Sequence, residues 1–600
     1  MYYYNPWNLD YKQPFGAIKV GNSMSLSFTT DQPSVLVTCV IRRDFGKRYE
    51  FSMTKDSGGD FRITIPFDEE PGLYFYHFEI VESSDLGETR RFYGCSGIGG
   101  EGLLYTDEND VKPYQLTVFE KEDQAPNWYR EAVFYQIFPD RFYNGNENGQ
   151  INHPKPNSFI YGRKTDSPFY VKEENGDIAR WDFFGGNLRG IIKKIPYLKE
   201  LGINAIYLNP IFSGTSNHRY DTNDYLKIDS MLGRQEDFEE LIQLLHQEKM
   251  HLVLDGVFSH VGKNSLYFNI NGDYGDDEGA AKNPDSPYFD WFKFENYPFD
   301  YKSWWGIKDL PEIDKDNDSF RNFIYGEKNS VLAKWNDLGI DGWRLDVADE
   351  LPDSFIKGIR ENLDSYSDKI LIGEIWEDAS NKISYGKRRN YILGGSLQAA
   401  MNYPFRDLII NLLNGHRSSQ DVAHQLMTLQ ENYPKDIFYN NLNNLGTHDT
   451  ERILTMVGEK NLSVALAMLF VLPGIPCIYY GDEAGLSGGK DPENRKYFPW
   501  DNISPKIYNA YKSWTQKRLS ENSLKYGEFS TFFTDRLLGI LRYTDSEVFV
   551  ELINPSEDEL NIEVQEITFL QNLKFLPELK KLLTEKVNSG KTNLELKMKI

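Results

Sequence analysis

From Trp128 to about residue 515, short apolar runs alternate with amphipathic segments of helical period. This alternation constrains the chain more than any other feature. A strand covered on both faces reads as a continuous apolar run, and the helix that covers it reads as an i, i+3, i+4 stripe. A regular series of the two is the pattern of a parallel α/β fold. The apolar runs are Ala132–Phe138, Asn204–Pro210, His251–Phe258, Gly339–Val347, Ile370–Ile375, Leu397–Asn402, Asn441–Gly446 and Gly474–Tyr480. Leu188–Leu201 and Gln235–Gln247 have helical periodicity, with Pro196 expected to kink or break the first. Such a series over about 390 residues predicts a (β/α)8 TIM barrel with long insertions. The largest insertion follows the third run, at about 259–315, and is rich in Asn, Asp, Tyr, Phe and Trp. A loop that long inside a compact domain is usually functional.

The flanks have a different texture. Residues 1–123 alternate with period two in Ser23–Thr30, Ser34–Arg42, Phe61–Phe67, Gly72–Val81 and Tyr114–Phe119, split by Gly, Asp and Pro. They predict an immunoglobulin-like N-terminal β-sandwich, linked by Asp123-Gln-Ala-Pro-Asn127 to a barrel over 124–521. Alternation returns over 522–600, as in Glu547–Asn554 and Asn593–Ile600, and predicts a C-terminal β-sandwich.

Net charge is −24, which disfavours nucleic acid and anionic membranes as partners and suits a neutral soluble substrate. No run of about twenty apolar residues is evident. Cys39, Cys95 and Cys477 are too few for a disulfide framework. With no basic-then-apolar leader pattern at Met1–Trp7, they point to the cytoplasm.

In a barrel of this kind the chemistry sits at the carboxyl ends of the strands. There the chain places His260 after the third run, Arg344 and Asp346 at the end of the fourth, Glu374 at the end of the fifth, and His448 with Asp449 after the seventh. Any one Asp could be a helix cap. Six such residues at one rim are the parts a glycosidase needs: one carboxylate to attack, one to move a proton, one to grip the sugar. Arg344 lies two residues before Asp346, so on a strand the two share a face.

These motifs resemble those of glycoside hydrolase family 13, the α-amylase family. The similar segments are Asp255-Gly-Val-Phe-Ser-His260, Gly342-Trp-Arg-Leu-Asp-Val-Ala-Asp-Glu350, Gly373-Glu-Ile-Trp376 and Gly446-Thr-His-Asp449. Tyr207–Phe212, Asn217–Asp224 and Gly474–Glu483 support them. With an N-terminal β-domain, the chain is most similar to the neopullulanase, cyclomaltodextrinase and maltogenic amylase group. The resemblance implies a retaining hydrolase of α-1,4-linked glucans such as maltodextrins, cyclodextrins, starch or pullulan. A transglycosidase on the same residues, or a glucan-binding protein without catalysis, is the alternative.

The resemblance also implies roles. Asp346 would be the nucleophile, and Glu374 the acid and base, kept protonated in the free enzyme by nearby negative charge. Asp449 would hold the 2- and 3-hydroxyls of the sugar. Tyr220 would stack beneath that sugar, His260, Arg344 and His448 would bind around it, and Trp304 or Trp305 would platform a neighbouring glucose. No cofactor is needed for this chemistry. A structural calcium is implied near the first barrel loop, at Asn144, Asn146, Asn148, Gly185 and Asn187, although a metal-free Asn/Gly turn suits those uncharged ligands as well. Where many members carry a calcium-ligating Asn before the motif histidine, this chain has Ser259, and Asp349 replaces a usual Asn. The N-terminal domain is expected to form a homodimer, to bind glucan, or to cover the barrel.

Overall fold

The computed structural model describes residues 1–68, 70–84, 87–555, 564–586 and 593–599. Its centre is a parallel barrel of β1 (Phe134–Ile137), β2 (Ala205–Leu208), β3 (His251–Gly256), β4 (Gly342–Leu345), β5 (Ile370–Gly373), β6 (Ala399–Ala400), β7 (Leu442–Asn444) and β8 (Ile475–Tyr479). The order is β6-β5-β4-β3-β2-β1-β8-β7, and a parallel bridge between Met401 and Leu442 joins the two ends into a ring. All eight expected strands are present. Each is shorter than its apolar run because the run continues past the ladder into the rim, as Asp346 and Val347 do beyond β4.

Period two divides each strand's side chains. Tyr135, Ile137, Ile206, Leu208, Leu252, Leu254, Trp343, Leu345 and Leu371 face the surrounding helices and belong to the large outer core. Phe134, Ala205, Tyr207, Val253, Ile370, Ile372, Ala399 and Cys477 fill the barrel. Helix Leu188–Leu201 is capped by the Asn187 side chain, which accepts from Gly190 N–H, and ends at Gly202 with φ 89°. The break expected at Pro196 does not occur. Pro196 lies on the exposed side of a helix whose Ile191, Ile195 and Leu198 are buried against the barrel, so packing holds the turn that lost its hydrogen bond.

Helix Ile453–Val471 is long and apolar enough by composition to cross a bilayer. Gly458, with φ 72°, interrupts it, and the apolar stretch beyond is packed into the outer core. A segment this short covers about 20 Å at 1.5 Å per residue, less than a bilayer core.

The N-terminal domain is the expected sandwich. One sheet centres on Ser23–Thr30 and the other on the long strand Gly72–Ser84, with Leu26, Phe28, Ile41, Tyr76 and Phe78 between them. It is fastened to its own barrel by the Trp7 indole, which donates to Glu431 Oε2 at 2.8 Å, and by buried Lys12, 3.1 Å from Glu431 Oε1. At 522–600 the expected β-sandwich is not what the described residues form. They make one five-stranded antiparallel sheet. Phe529, Ile540 and Phe549 of this sheet join the outer core, and Phe532, Leu541 and Val550 pack with Leu579 and Leu583 of helix Leu576–Lys586. The second layer is a helix because Leu576, Leu579 and Leu583 recur at helical spacing. Ile600, the end of the expected last strand, lies outside the described residues.

Candidate active site

The inward positions of the barrel strands turn polar at the carboxyl end. Continuing the period from Val253, Gly342 and Ile372 places Asp255, Arg344, Asp346 and Glu374 in the mouth of the barrel. Arg344 is wholly buried. Its Nη1 lies 2.7 Å from Asp255 Oδ1 and 2.9 Å from Asp346 Oδ1, and its Nη2 lies 2.8 Å from Glu374 Oε2. One guanidinium thus gathers three carboxylates. A planar fork can serve several oxygens in fixed directions, which a lysine could not. Tyr207 and Tyr220 hydroxyls donate to Asp255 Oδ2 at 2.6 and 2.8 Å. Asp255 therefore has its hydrogen bonds filled and supports the site.

Glu374 is held by donors on both oxygens. The Trp376 indole donates to Oε1 at 3.0 Å, and Val347 N–H donates to Oε2 at 2.7 Å. Val347 has φ 38°, a left-handed conformation costly for a β-branched residue. That strained turn directly after Asp346 aims its N–H at Glu374 and links the ends of β4 and β5.

Across the mouth, Asp449 is set by His448, whose Nε2 is 3.1 Å from Asp449 Oδ2. The Gln136 amide donates to His448 Nδ1 at 3.0 Å, which assigns the ring hydrogen to Nε2. Burial, followed by Arg495 and Arg344, pushes His448 well below the usual histidine range, so the ring is neutral. Tyr220 stacks on His448, with centroids 5.1 Å apart and planes at 5°. His260 is also neutral: burial pushes it down to about 3. Ser259, the atypical residue, lies with its hydroxyl 2.8 Å from His260 Nδ1 and orients the ring. Trp304 leans on His260, and Trp305 stacks on Trp304 at 4.7 Å while remaining 73% exposed. Trp304 is thus the packing residue of the pair and Trp305 the accessible one.

Four carboxylates face the guanidiniums of Arg344 and Arg495. Burial pushes Asp346 well above the carboxylate range; Arg344 opposes this, while Glu374, Asp255 and Asp449 add to it. Asp449 is pushed up to about 7 by burial and then by Glu374, against Arg495 and Arg344. Burial and the mutual repulsion of the carboxylates thus hold Asp346 and Asp449 above the ordinary carboxylate range.

The residues implied for calcium largely bond within their own loop. Asn187 Oδ1 caps its helix, accepting from Gly145 and Gly190 N–H at 3.0 and 2.8 Å. Asn144 and Asn146 amides donate to the carbonyls of Gly149 and Gln150, and Asn148 donates to Gln150 Oε1. Gly185 contributes an N–H to Asp140 Oδ1 at 3.0 Å. The side-chain oxygens of Asn144, Asn148 and Asn187 accept from the loop's own N–H groups, and none of the five residues is a carboxylate.

Arg495 carries no motif signal, yet its Nε donates to the His448 carbonyl at 2.9 Å and its Nη2 lies 3.5 Å from Asp449 Oδ1. Trp181 and His218, 4.9 Å apart, come from loops after β1 and β2. They line a groove of about 600 Å³ with Lys155, Asn264, Ile307 and Asp309. The insertion after β1 therefore forms a wall opposite the expected insertion after β3. Its irregular composition gave no periodic signal from which to foresee this.

The catalytic-domain model of α-amylase matches residues 136–521. An amylopullulanase from Thermoanaerobacterium saccharolyticum is 35% identical over 94% of this chain, but the chain spans only 49% of that protein's length, and less of two further amylopullulanases. A cyclomaltodextrinase from Geobacillus thermopakistaniensis is 32% identical, with 86% of each chain covered. Among solved structures, the cyclic α-maltosyl-(1→6)-maltose hydrolase of Arthrobacter globiformis superposes with a TM-score of 0.65 at 28% identity, covering 79% of this chain and all of that one. With the barrel, its carboxylate-lined mouth and this match over most of the sequence, the chain belongs to the α-amylase family.

Proposed function

We propose that the protein is a retaining glycoside hydrolase that cleaves α-1,4-glucosidic bonds of maltodextrins and related glucans. The observation that carries this reading is the single guanidinium of Arg344 bridging Asp346 and Glu374, with Asp449 facing them. Asp346 attacks the anomeric carbon as the glycosidic bond breaks, and Glu374 gives its proton to the departing oxygen. Water then attacks the glycosyl ester while Glu374 takes a proton back and Asp346 leaves as a carboxylate. Configuration is retained after two displacements. Asp449 accepts from the sugar hydroxyls, neutral His260 donates to the same ring, and His448 binds there through the Asp449 carboxylate its Nε2–H holds. Tyr220, held by Asp255 and stacked on His448, presents a flat face to it. Glu374 must carry a proton at the moment of cleavage. Substrate hydroxyls on Asp449 favour its ionised form and so favour that placement.

Three unpaired cysteines support a reducing, cytoplasmic setting. The N-terminal sandwich already packs on its own barrel through Trp7 and Lys12, so a homodimer built through it would use another face. Light scattering of the full chain checks for that dimer. Product chromatography from maltoheptaose, β-cyclodextrin and pullulan, with anomer analysis by NMR, tests the activity. Shorter α-anomeric products support it. β-anomers, or wild-type rates in Asp346→Ala, would refute it. Chains longer than maltoheptaose would move the reading to transfer.

A further inference from the structure

Two exposed aromatic residues stand at the mouth in a backbone conformation that aromatics avoid, and both are tied to one carboxylate oxygen. Trp305 has φ 51° and is 73% exposed; Tyr385 has φ 50° and is 72% exposed. The Trp305 indole and the Tyr385 hydroxyl both donate to Glu350 Oε1. Tyr385 is the first tip residue of a two-residue hairpin between Ile383–Ser384 and Lys387–Arg388, and Gly386, with φ 74°, is the second. Such a turn needs positive φ at both tip residues and is usually met by Asn-Gly. A tyrosine there is strained and gains no burial. Strained, exposed aromatics held in a fixed pose are the mark of a contact surface.

The barrel order gives that surface a direction. Trp305, Glu350 and Tyr385 follow β3, β4 and β5, on the Glu374 side of the mouth. Asp449, Arg495, Trp181 and Tyr220 follow β7, β8, β1 and β2, on the side that grips the sugar being cleaved. The hairpin is held at its base by Asp349, whose carbonyl accepts from Ser384 at 2.8 Å and whose carboxylate accepts from Tyr391 at 2.9 Å. It is held from outside the barrel as well: Arg388 Nε lies 2.6 Å from Asp44 Oδ2 of the N-terminal sandwich.

Resting on the glycosidase reading above, we propose that Tyr385 with Trp305 is a glucosyl-binding subsite on the leaving-group side, and that the N-terminal domain positions it through Asp44 and Arg388. A glucose ring presents an apolar face to such aromatic planes, while Glu350 fixes their spacing. The sandwich thus shapes specificity within its own chain, with Asp44 acting as a positioning residue.

The test compares kcat/KM of the full chain on maltoheptaose with kcat/KM on α-maltosyl fluoride. The fluoride has no sugar on the leaving side, so the ratio isolates that subsite. Tyr385→Ala is expected to lower the ratio about tenfold, and Tyr385→Phe, which keeps the ring but loses its bond to Glu350, by about threefold. Asp44→Ala is expected to lower it about threefold without changing turnover of the fluoride. In Tyr385→Ala, Asp44→Ala should then add little, because the two act through one element. A ratio unmoved in Tyr385→Ala, or an equal loss on both substrates, overturns the proposal. A wild-type enzyme inert on both substrates would instead refute the glycosidase reading.

Discussion

Arg344 is the residue on which the site turns. It is the cation in contact with Asp255, Asp346 and Glu374, and it has no exposure through which water could replace it. Arg344→Met should lower kcat/KM by about a thousandfold, because the cluster would take up protons that silence the nucleophile. Steady-state kinetics of a folded variant, checked by circular dichroism, reads this directly. On the proposed mechanism Asp449 sets the pH dependence. Its carboxyl is pushed up to about 7, and its charge also raises Asp346. Activity should therefore rise with pH through the neutral range. Asp449→Asn should be about a hundredfold slower or worse, with the acid limb of its kcat/KM profile at lower pH. A raised carboxyl pKa stabilises the fold below the unfolded value of about 3.9, and that contribution is lost as pH rises through the folded value. Asp449→Asn should accordingly gain more melting temperature over wild type at pH 8 than at pH 5.

At the scale of the element, strands and helices were legible where burial imposes a period. Leu188–Leu201 and Gln235–Gln247 stand at the expected bounds, and the period-two register from β4 into Asp346 placed Arg344 and Asp346 on one face. What was not legible comes from irregular chain. Arg495, Trp181 and Tyr385 reach the mouth from loops whose course depends on tertiary contacts. Tyr385 in particular occupies a turn that local preference would have given to Asn. Pro196 misled in the other direction, since a local rule yielded to packing along a whole helix. The loop after β1 makes a separate prediction. Its asparagines bond to one another and to its own carbonyls, and on that basis it is expected to hold without a cation. A chelator should leave the melting temperature unchanged within about 1 °C, and a drop of several degrees would show that calcium holds this loop.

Across the whole molecule, the domains are joined by buried polar contacts. Glu431 receives both the Trp7 indole and Lys12, whose ammonium is fully buried. Glu431→Ala leaves that ammonium unpaired and should cost about 3–5 kcal/mol. Calorimetry should show the sandwich separating from the barrel as an earlier transition. In the proposed reading the barrel, its two facing insertions and the sandwich's hold on the Tyr385 hairpin serve one covalent event. On the proposed mechanism that event is the formation of an ester on Asp346, and Glu374→Gln treated with α-maltosyl fluoride tests it most directly. Fluoride departs without an acid, whereas release of the sugar lacks its base, so the intermediate should accumulate. Peptide mass spectrometry should find one maltosyl group on the peptide containing Asp346. No adduct, or an adduct on Asp449 or any other residue, would contradict the account.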